Sequence, residues 1–169
     1  MHKYVKLAYE VIKSELEENY SFEKENYVLD EKFKIERSCF VTLHNQDGSL
    51  RGCIGTIEPY YENLFQEIVH NAISAAFKDP RFPPLTKDEF PNISISVDVL
   101  GELQNVKSIE ELNPKEFGIV IKKDYRRGLL LPNLEGVDTV KKQIEITKMK
   151  AGIETNDYEI FKFKVNRYK

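Results

Sequence analysis

Cys53 is the side chain of this sequence best suited to act as a nucleophile or redox centre, and it stands inside the run Leu50-Arg51-Gly52-Cys53-Ile54-Gly55-Thr56. Read as a strand, the run places Arg51 on the same face as Cys53, about 7 Å along the chain, close enough to favour a thiolate in a partly desolvated site. Glycine is unfavourable inside a strand unless something needs the backbone room, a bulge or a ligand being the usual causes, so Gly52 and Gly55 are candidate ligand contacts. The alternative is a tightly packed strand in which Cys53 is a small buried hydrophobe. A second arginine, Arg81, lies in Asp79-Pro80-Arg81-Phe82-Pro83-Pro84. Three prolines stiffen that loop and aim a guanidinium at low entropic cost, either at a carboxylate or phosphate of a ligand or at Asp79, to fix the loop itself.

Other chemistries find less support. His44 lies well along its strand from Cys53, His70 falls opposite the apolar side of its helix, and His2 is at the start of the chain, so all three read as solvated and no Cys-His dyad forms locally. Cys39 and Cys53 fall on opposite faces of a hairpin, which disfavours a disulfide. No CxxC, HxxxH or HExxH spacing occurs, so no metal site is expected and no cofactor is identified. Glu58, Ser96 and Asp98 are candidate hydrogen-bonding or acid-base partners, and Asn71, at the border of a buried helix arc, is a positioning residue or a ligand contact.

The elements that must hold these residues follow from periodicity. Val5, Ala8, Ile12 and Leu16 predict a helix over residues 3–18, and the mixed Glu/Lys segment from Glu23 to Glu36 reads as a solvated connection. Ser38 to His44 and Ser49 to Thr56 are β-like runs around the turn formers Asn45-Gln46-Asp47-Gly48, which predicts a hairpin with His44 opposite Ser49, Val41 opposite Gly52 and Cys39 opposite Ile54. Glu62 to Phe77 gathers Leu64, Phe65, Ile68, Ala72, Ala75 and Ala76 in one helical arc. Ile93, Ile95, Val97 and Val99 alternate with Ser94, Ser96 and Asp98 in a half-buried strand. A second hairpin joins Phe117–Lys122 to Gly128–Leu131, with Arg126 and Arg127 in its tip, where an exposed charge pair usually has no ligand. Val137, Val140 and Ile144 mark a third long helix that Gly152 stops, and Phe161, Phe163 and Val165 predict one last strand with a basic outer face.

The chain has 169 residues, 41% of them apolar, with 25 basic and 28 acidic side chains and a net charge of −3. These numbers predict one compact domain over residues 1–169 and argue against disorder. The balance supplies no basic field for nucleic acid, and the strip Lys162, Lys164, Arg167 and Lys169 is too short to alter that. No apolar run approaches the ~20 residues needed to span a bilayer, and the chain opens in an amphipathic pattern instead of a signal peptide, so a cytoplasmic protein is expected.

The run LRGCIGT resembles the signature of the AMMECR domain family, whose bacterial and archaeal branch is the AmmeMemoRadiSam system protein A. Further segments match in the family's order: Asn71-Ala72 and Ala75-Ala76, Asp79-Pro80-Arg81-Phe82-Pro83-Pro84-Leu85, Ser96-Val97, Gly128-Leu129-Leu130-Leu131-Pro132 and Lys150-Ala151-Gly152. The chain departs from the family pattern in having no Trp and in carrying Lys148 where a Cys often sits, which disfavours any mechanism needing a second thiol. The resemblance implies an α+β fold, an antiparallel or mixed sheet packed with about three main helices, divided into a larger lobe with both termini and a smaller lobe, with a cleft near the signature. It implies no settled reaction, and it implies Memo-type and radical SAM proteins as partners.

Two readings of function follow. In the first the chain is a thiol-dependent enzyme or enzyme subunit: Cys53 is the reacting thiolate, and Arg51, Gly52, Gly55, Thr56, Asn71, Arg81 and Arg126 surround an anionic small molecule or protein group. In the second it is a non-catalytic module whose LRGCIGT surface docks a partner protein.

Overall fold

The computed structural model describes residues 1–169 and divides into two compact units, Met1–Val99 with Arg167–Lys169, and Leu100–Asn166. The first unit holds both termini. Its elements are α1 (Lys3–Leu16), the single turn α2 (Glu25–Val28), strands β1 (Cys39–His44) and β2 (Leu50–Gly55), α3 (Leu64–Phe77) and β3 (Ser94–Leu100). The second unit contains β4 (Gln104–Asn105), β5 (Gly118–Lys123), β6 (Arg126–Leu130), α4 (Val140–Ala151) and β7 (Glu159–Phe163), after which β8 (Val165–Tyr168) returns to the first sheet. The sheets run β2-β1-β3-β8 and β4-β7-β5-β6. The chain is therefore α+β, as the family resemblance implies, and no helix is long and apolar enough to cross a membrane.

Each long helix begins where a side chain accepts from one of its free backbone N–H groups, and ends on a backbone N–H that returns to a carbonyl of the last turn. His2 caps α1 through Nδ1, Asn63 caps α3 by accepting from the Gln66 N–H, and Thr139 caps α4 by accepting from Lys142. Gly152 closes α4 with a φ of +69°, a left-handed conformation that suits glycine. The first core forms as α1 and α3 bury Leu7, Ile12, Leu64 and Ile68 against Val41, Leu43 and Val97 of the sheet. The second gathers Ile119, Ile121, Leu130, Val137 and Ile153.

Three expectations are corrected. The segment from Glu23 to Glu36 is more than a solvated connection: Tyr27 and Phe33 are buried and meet Tyr4 and Phe65 in an aromatic cluster. Arg126 and Arg127 lie within β6, because the turn is only Asp124-Tyr125, with Lys123 paired to Arg126. The last strand is two strands in different sheets. The Lys164 carbonyl between them accepts from the Gly101 N–H at 2.8 Å, which marks where the chain leaves one sheet for the other.

The β1–β2 hairpin forms, with its register moved by two residues. Thr42 faces Cys53, Val41 faces Ile54 and Phe40 faces Gly55, and an irregularity at Leu43/His44 leaves Arg51 as the extra residue. A shift of two preserves the faces, so Cys39 lies on the helix side and Cys53 on the other, both as free thiols. Gly52 is the point of closest approach to α3: a Cβ there would stand 2.2 Å from the Ala75 carbonyl oxygen. Because that neighbour is backbone in a helix, it has no rotamer with which to give way. Gly52→Ala is expected to lower unfolding free energy by about 2–3 kcal/mol, whereas Gly48→Ala, which meets open space at a φ of +83°, should cost only about 1 kcal/mol. Urea denaturation of the two variants checks this; a Gly52→Ala protein as stable as the parent would contradict the close packing of β2 on α3.

Candidate functional site

Cys53 is half-buried on the face of the first sheet turned away from α3. Its Sγ lies 3.2 Å from Thr42 Oγ1, within hydrogen-bonding reach, and Thr42 in turn sits opposite Ser96 on β3. Cys53, Thr42 and Ser96 thus form one lateral row across the three strands, the Cβ atoms of neighbours about 5 Å apart. The adjacent row is Gly55, Phe40 and Asp98. Gly55 makes room for Phe40, whose ring a Cβ would meet at 2.3 Å. The polar half of β3 is not solvated as alternation alone predicts: Ser96 and Asp98 are both buried. Asp98 accepts two hydrogen bonds from Arg167, Nε to Oδ1 at 2.7 Å and Nη2 to Oδ2 at 2.8 Å.

The segment after α3 reaches β2 from its open edge. The buried Asp79 accepts from the Cys53 N–H through Oδ2 at 2.9 Å, and Arg81 Nη2 donates to the Cys53 carbonyl at 3.2 Å. The two side chains bind each other, Arg81 Nε to Oδ1 at 2.9 Å and Nη2 to Oδ2 at 2.7 Å. The Arg81 hydrogen bonds, aided by the backbone donor of Cys53, hold the Asp79 carboxyl well below the ordinary carboxylate range. Arg51 leaves the sheet to join the same segment: Nε and Nη2 donate to Glu89 at 3.0 and 3.2 Å, and Nη2 also to the Pro83 carbonyl at 3.0 Å. With Arg51 as its first cause and the Thr86 N–H next, the Glu89 carboxyl is drawn down to about 2. Phe82 lies between the guanidiniums, 5.9 Å from Arg51 and 5.6 Å from Arg81.

Glu67, absent from the sequence reading, organises the stretch that follows the signature. It is fully buried and accepts from neutral donors alone: Thr56 Oγ1 at 2.8 Å, Asn71 Nδ2 at 3.3 Å, and the N–H groups of Tyr60 and Tyr61. Asn71 also donates to the Cys39 carbonyl at 3.0 Å, so Thr56 and Asn71 meet at one carboxylate. The signal was the i, i+4 spacing of Glu67 and Asn71 along the edge of the apolar arc. Cys39, beneath them, is sealed, and burial pushes its thiol up to about 12. Arg126 belongs to the second unit, where Nη1 donates to the Gly152 carbonyl at 2.9 Å, at the end of α4. The structure thus gathers Cys53, Arg51, Gly52, Gly55 and Arg81 along one strand and its neighbouring loop, and adds Thr42, Ser96, Asp79, Asp98 and Arg167.

Comparison with known proteins bears on this arrangement. The family model described as AMMECR1 matches residues 5–169. A protein of Thermotoga maritima is 50% identical over 170 residues, covering 99% of this chain and 98% of its own. One from Clostridium acetobutylicum is 46% identical over 168 residues, covering 98% of this chain but 36% of that longer protein. The crystal structure of an uncharacterized protein from Pyrococcus horikoshii superposes with a TM-score of 0.85 at 27% identity, covering 97% of this chain and 88% of that one.

The two lowered carboxylates set a direction for acid sensitivity. Asp79 and Glu89 ionise more readily folded than at their ordinary values of 3.8 and 4.5, so the stability they contribute is complete above those values and is lost as pH falls toward the folded ones. Asp79→Asn is expected to cost about 1.5–3 kcal/mol at pH 7, the worth of hydrogen bonds to a buried charge. It should also flatten the decline in stability between about pH 4 and pH 2. Urea titrations at several pH values check both; an acid limb unchanged by the substitution would show that the Asp79 pair does not carry it.

Proposed function

The chain belongs to the AMMECR1 family, and from that premise we propose that it is a cytoplasmic, thiol-dependent enzyme or enzyme subunit whose reacting group is Cys53. It acts on an anionic small molecule or an anionic group of a protein, in company with Memo-type and radical SAM partners. The observation that carries this reading is the holding of Cys53. Its N–H and its carbonyl are both bound by the Asp79–Arg81 pair, while its Sγ is left half-buried beside the Thr42 hydroxyl. Fixing the backbone on both sides of a nucleophile presents its sulfur in one orientation, which a merely packed cysteine does not require. Cys39, wholly buried and with a thiol of raised pKa, is the internal contrast.

A second reading has its own support. Tyr60 is 79% exposed at a loop whose backbone Glu67 fixes through neutral donors, immediately after the signature. A rigidly held aromatic ring beside the motif suits a docking surface, and the longer Clostridium relative carries this region within a larger protein. In this alternative the domain is a non-catalytic module, and Tyr60→Ala, not Cys53→Ser, would abolish partner capture.

Alkylation of the native protein with iodoacetamide, followed by mass spectrometry, separates the two cysteines. Cys53 is expected to label at least tenfold faster than Cys39, and Cys53→Ser to abolish turnover of the reconstituted system with a melting temperature within about 4 °C of the parent, the span of roughly 1 kcal/mol for a chain of this size. Equally slow labelling of both thiols, or a Cys53→Ser protein that loses stability and function together, would make Cys53 a packing residue.

A further inference from the structure

Two half-exposed guanidiniums neighbour Cys53, and each is fixed by a carboxylate that is itself shut away from solvent. Asp79 is 3% exposed and holds Arg81; Asp98 is 1% exposed and holds Arg167. The arginine side chains remain 54% exposed in both cases. In both, Nε and Nη2 face the carboxylate, so the flat guanidinium turns Nη1 away from it. Arg81 comes from the loop on the open edge of β2, and Arg167 reaches back from β8 to β3. Asp98, which holds Arg167, lies two residues along β3 from Ser96 and so on the same face of the sheet as Thr42 and Cys53. Thr42 and Ser96 fill the row that runs from Cys53 toward β3.

We infer that Arg81 and Arg167 form a receptor for the acidic group, carboxylate or phosphate, of a small ligand whose other end meets Cys53. The inference rests on the reading of Cys53 as the reacting thiol and names the residues that select its ligand. Arg51, the nearer arginine in sequence, is excluded because its side chain is 7% exposed and its Nε and Nη2 are taken by Glu89 and Pro83. A free surface arginine loses rotamer freedom when it is fixed; here the buried carboxylates have already imposed that order. The same carboxylates offset most of the positive charge, so the receptor works by directed N–H donors on one acidic group and does not attract a polyanion such as nucleic acid.

Two thiol reagents of nearly equal size, one anionic and one neutral, test this. Iodoacetate and iodoacetamide each lose iodide as the Cys53 thiolate attacks the methylene carbon, forming the same sulfur–carbon bond, so the ratio of their rates reads the local preference for an anion. The iodoacetate-to-iodoacetamide ratio at Cys53 in the native chain is expected to exceed that of Cys53 in the urea-unfolded chain about tenfold, or ~1.4 kcal/mol. Arg81→Gln and Arg167→Gln should each remove most of that preference. Because Arg167→Gln strands a buried carboxylate, the double variant Asp98→Asn/Arg167→Gln replaces it should the single one fail to fold. Protection from iodoacetate by inorganic phosphate assigns a phosphate group, and protection by acetate a carboxylate. A native ratio equal to the unfolded one, insensitivity to both arginine substitutions, or protection by neither anion overturns the receptor while the reactive thiol stands. Failure of both reagents to label native Cys53 overturns the thiol reading as well.

Discussion

An edge strand has to dispose of the peptide groups that face away from its sheet, and β2 gives those of Cys53 to a buried carboxylate and the guanidinium bound to it. Antiparallel pairing alternates along a strand, and the Thr56 N–H reaches the Cys39 carbonyl, so Gly52, Ile54 and Thr56 turn toward β1 while Cys53 turns outward. An open edge at that point would invite pairing with another chain. Asp79 and Arg81 occupy it as a strand would, one accepting from the N–H and the other donating to the carbonyl. Leu85 keeps the segment in place through its N–H to the Ala76 carbonyl at 2.8 Å. The two specific motifs of the sequence, LRGCIGT and DPRFPPL, are therefore halves of one structural unit, and the orientation of Cys53 depends on both.

The charges around that unit follow one rule: a carboxylate is buried only where donors satisfy it. Asp79 and Asp98 take arginines and Glu67 is served entirely by neutral groups, whereas in the pair of Arg51 with Glu89 it is the arginine that is buried and the carboxylate that stays partly exposed. Removing one member of a buried pair leaves the other uncompensated, which is more damaging than never having had the pair. Arg51 is consequently committed to structure, tying the bulged end of β2 to the loop. Arg81 and Arg167 differ because only their carboxylate is sealed, which leaves part of each guanidinium facing outward. A half-exposed ion pair is a weak source of stability. Its directional fixing is the larger consequence.

Elements with a strong period were legible in the sequence, and their cross-strand relations were not. The three long helices and both hairpins follow from apolar spacing and turn residues. The register of the first hairpin is displaced by two, one residue because the turn pairs His44 with Leu50 in place of Ser49 and one because nothing in LRGCIGT announces that Arg51 is the extra residue of an irregular pair, whereas the faces survive because an even shift preserves them. Tyr27 and Phe33 were hidden by their charged neighbours: two aromatic rings are enough to bury a segment that composition marks as solvated. The glycines mark places that need room without showing the occupant; α3 fills it at Gly52 and the Phe40 ring at Gly55. Glu67 is marked in the sequence only by its i, i+4 spacing from Asn71, because a carboxylate with no cationic partner within its own segment leaves no charge pattern to detect.

The alternation at the end of the chain predicts one basic strand, and the reason it is two bears on the site. Residues 100–166 form the second unit between β3 and β8, and β8 rejoins the first sheet only after that unit has been traversed. Asp98 and Arg167 are 69 positions apart, so their pairing closes a long loop whose entropic penalty grows only slowly with length. A buried Asp98 without that arginine would be an uncompensated charge at the centre of the polar face, so docking of β8 and burial of this face are energetically one event. The environment of Cys53 is thus assembled from the signature strand, the proline-rich loop and the final strand. Sequence inspection marks Cys53 on the first and Arg81 on the second, but on the third it finds only a basic strip with no indication that Arg167 reaches Asp98.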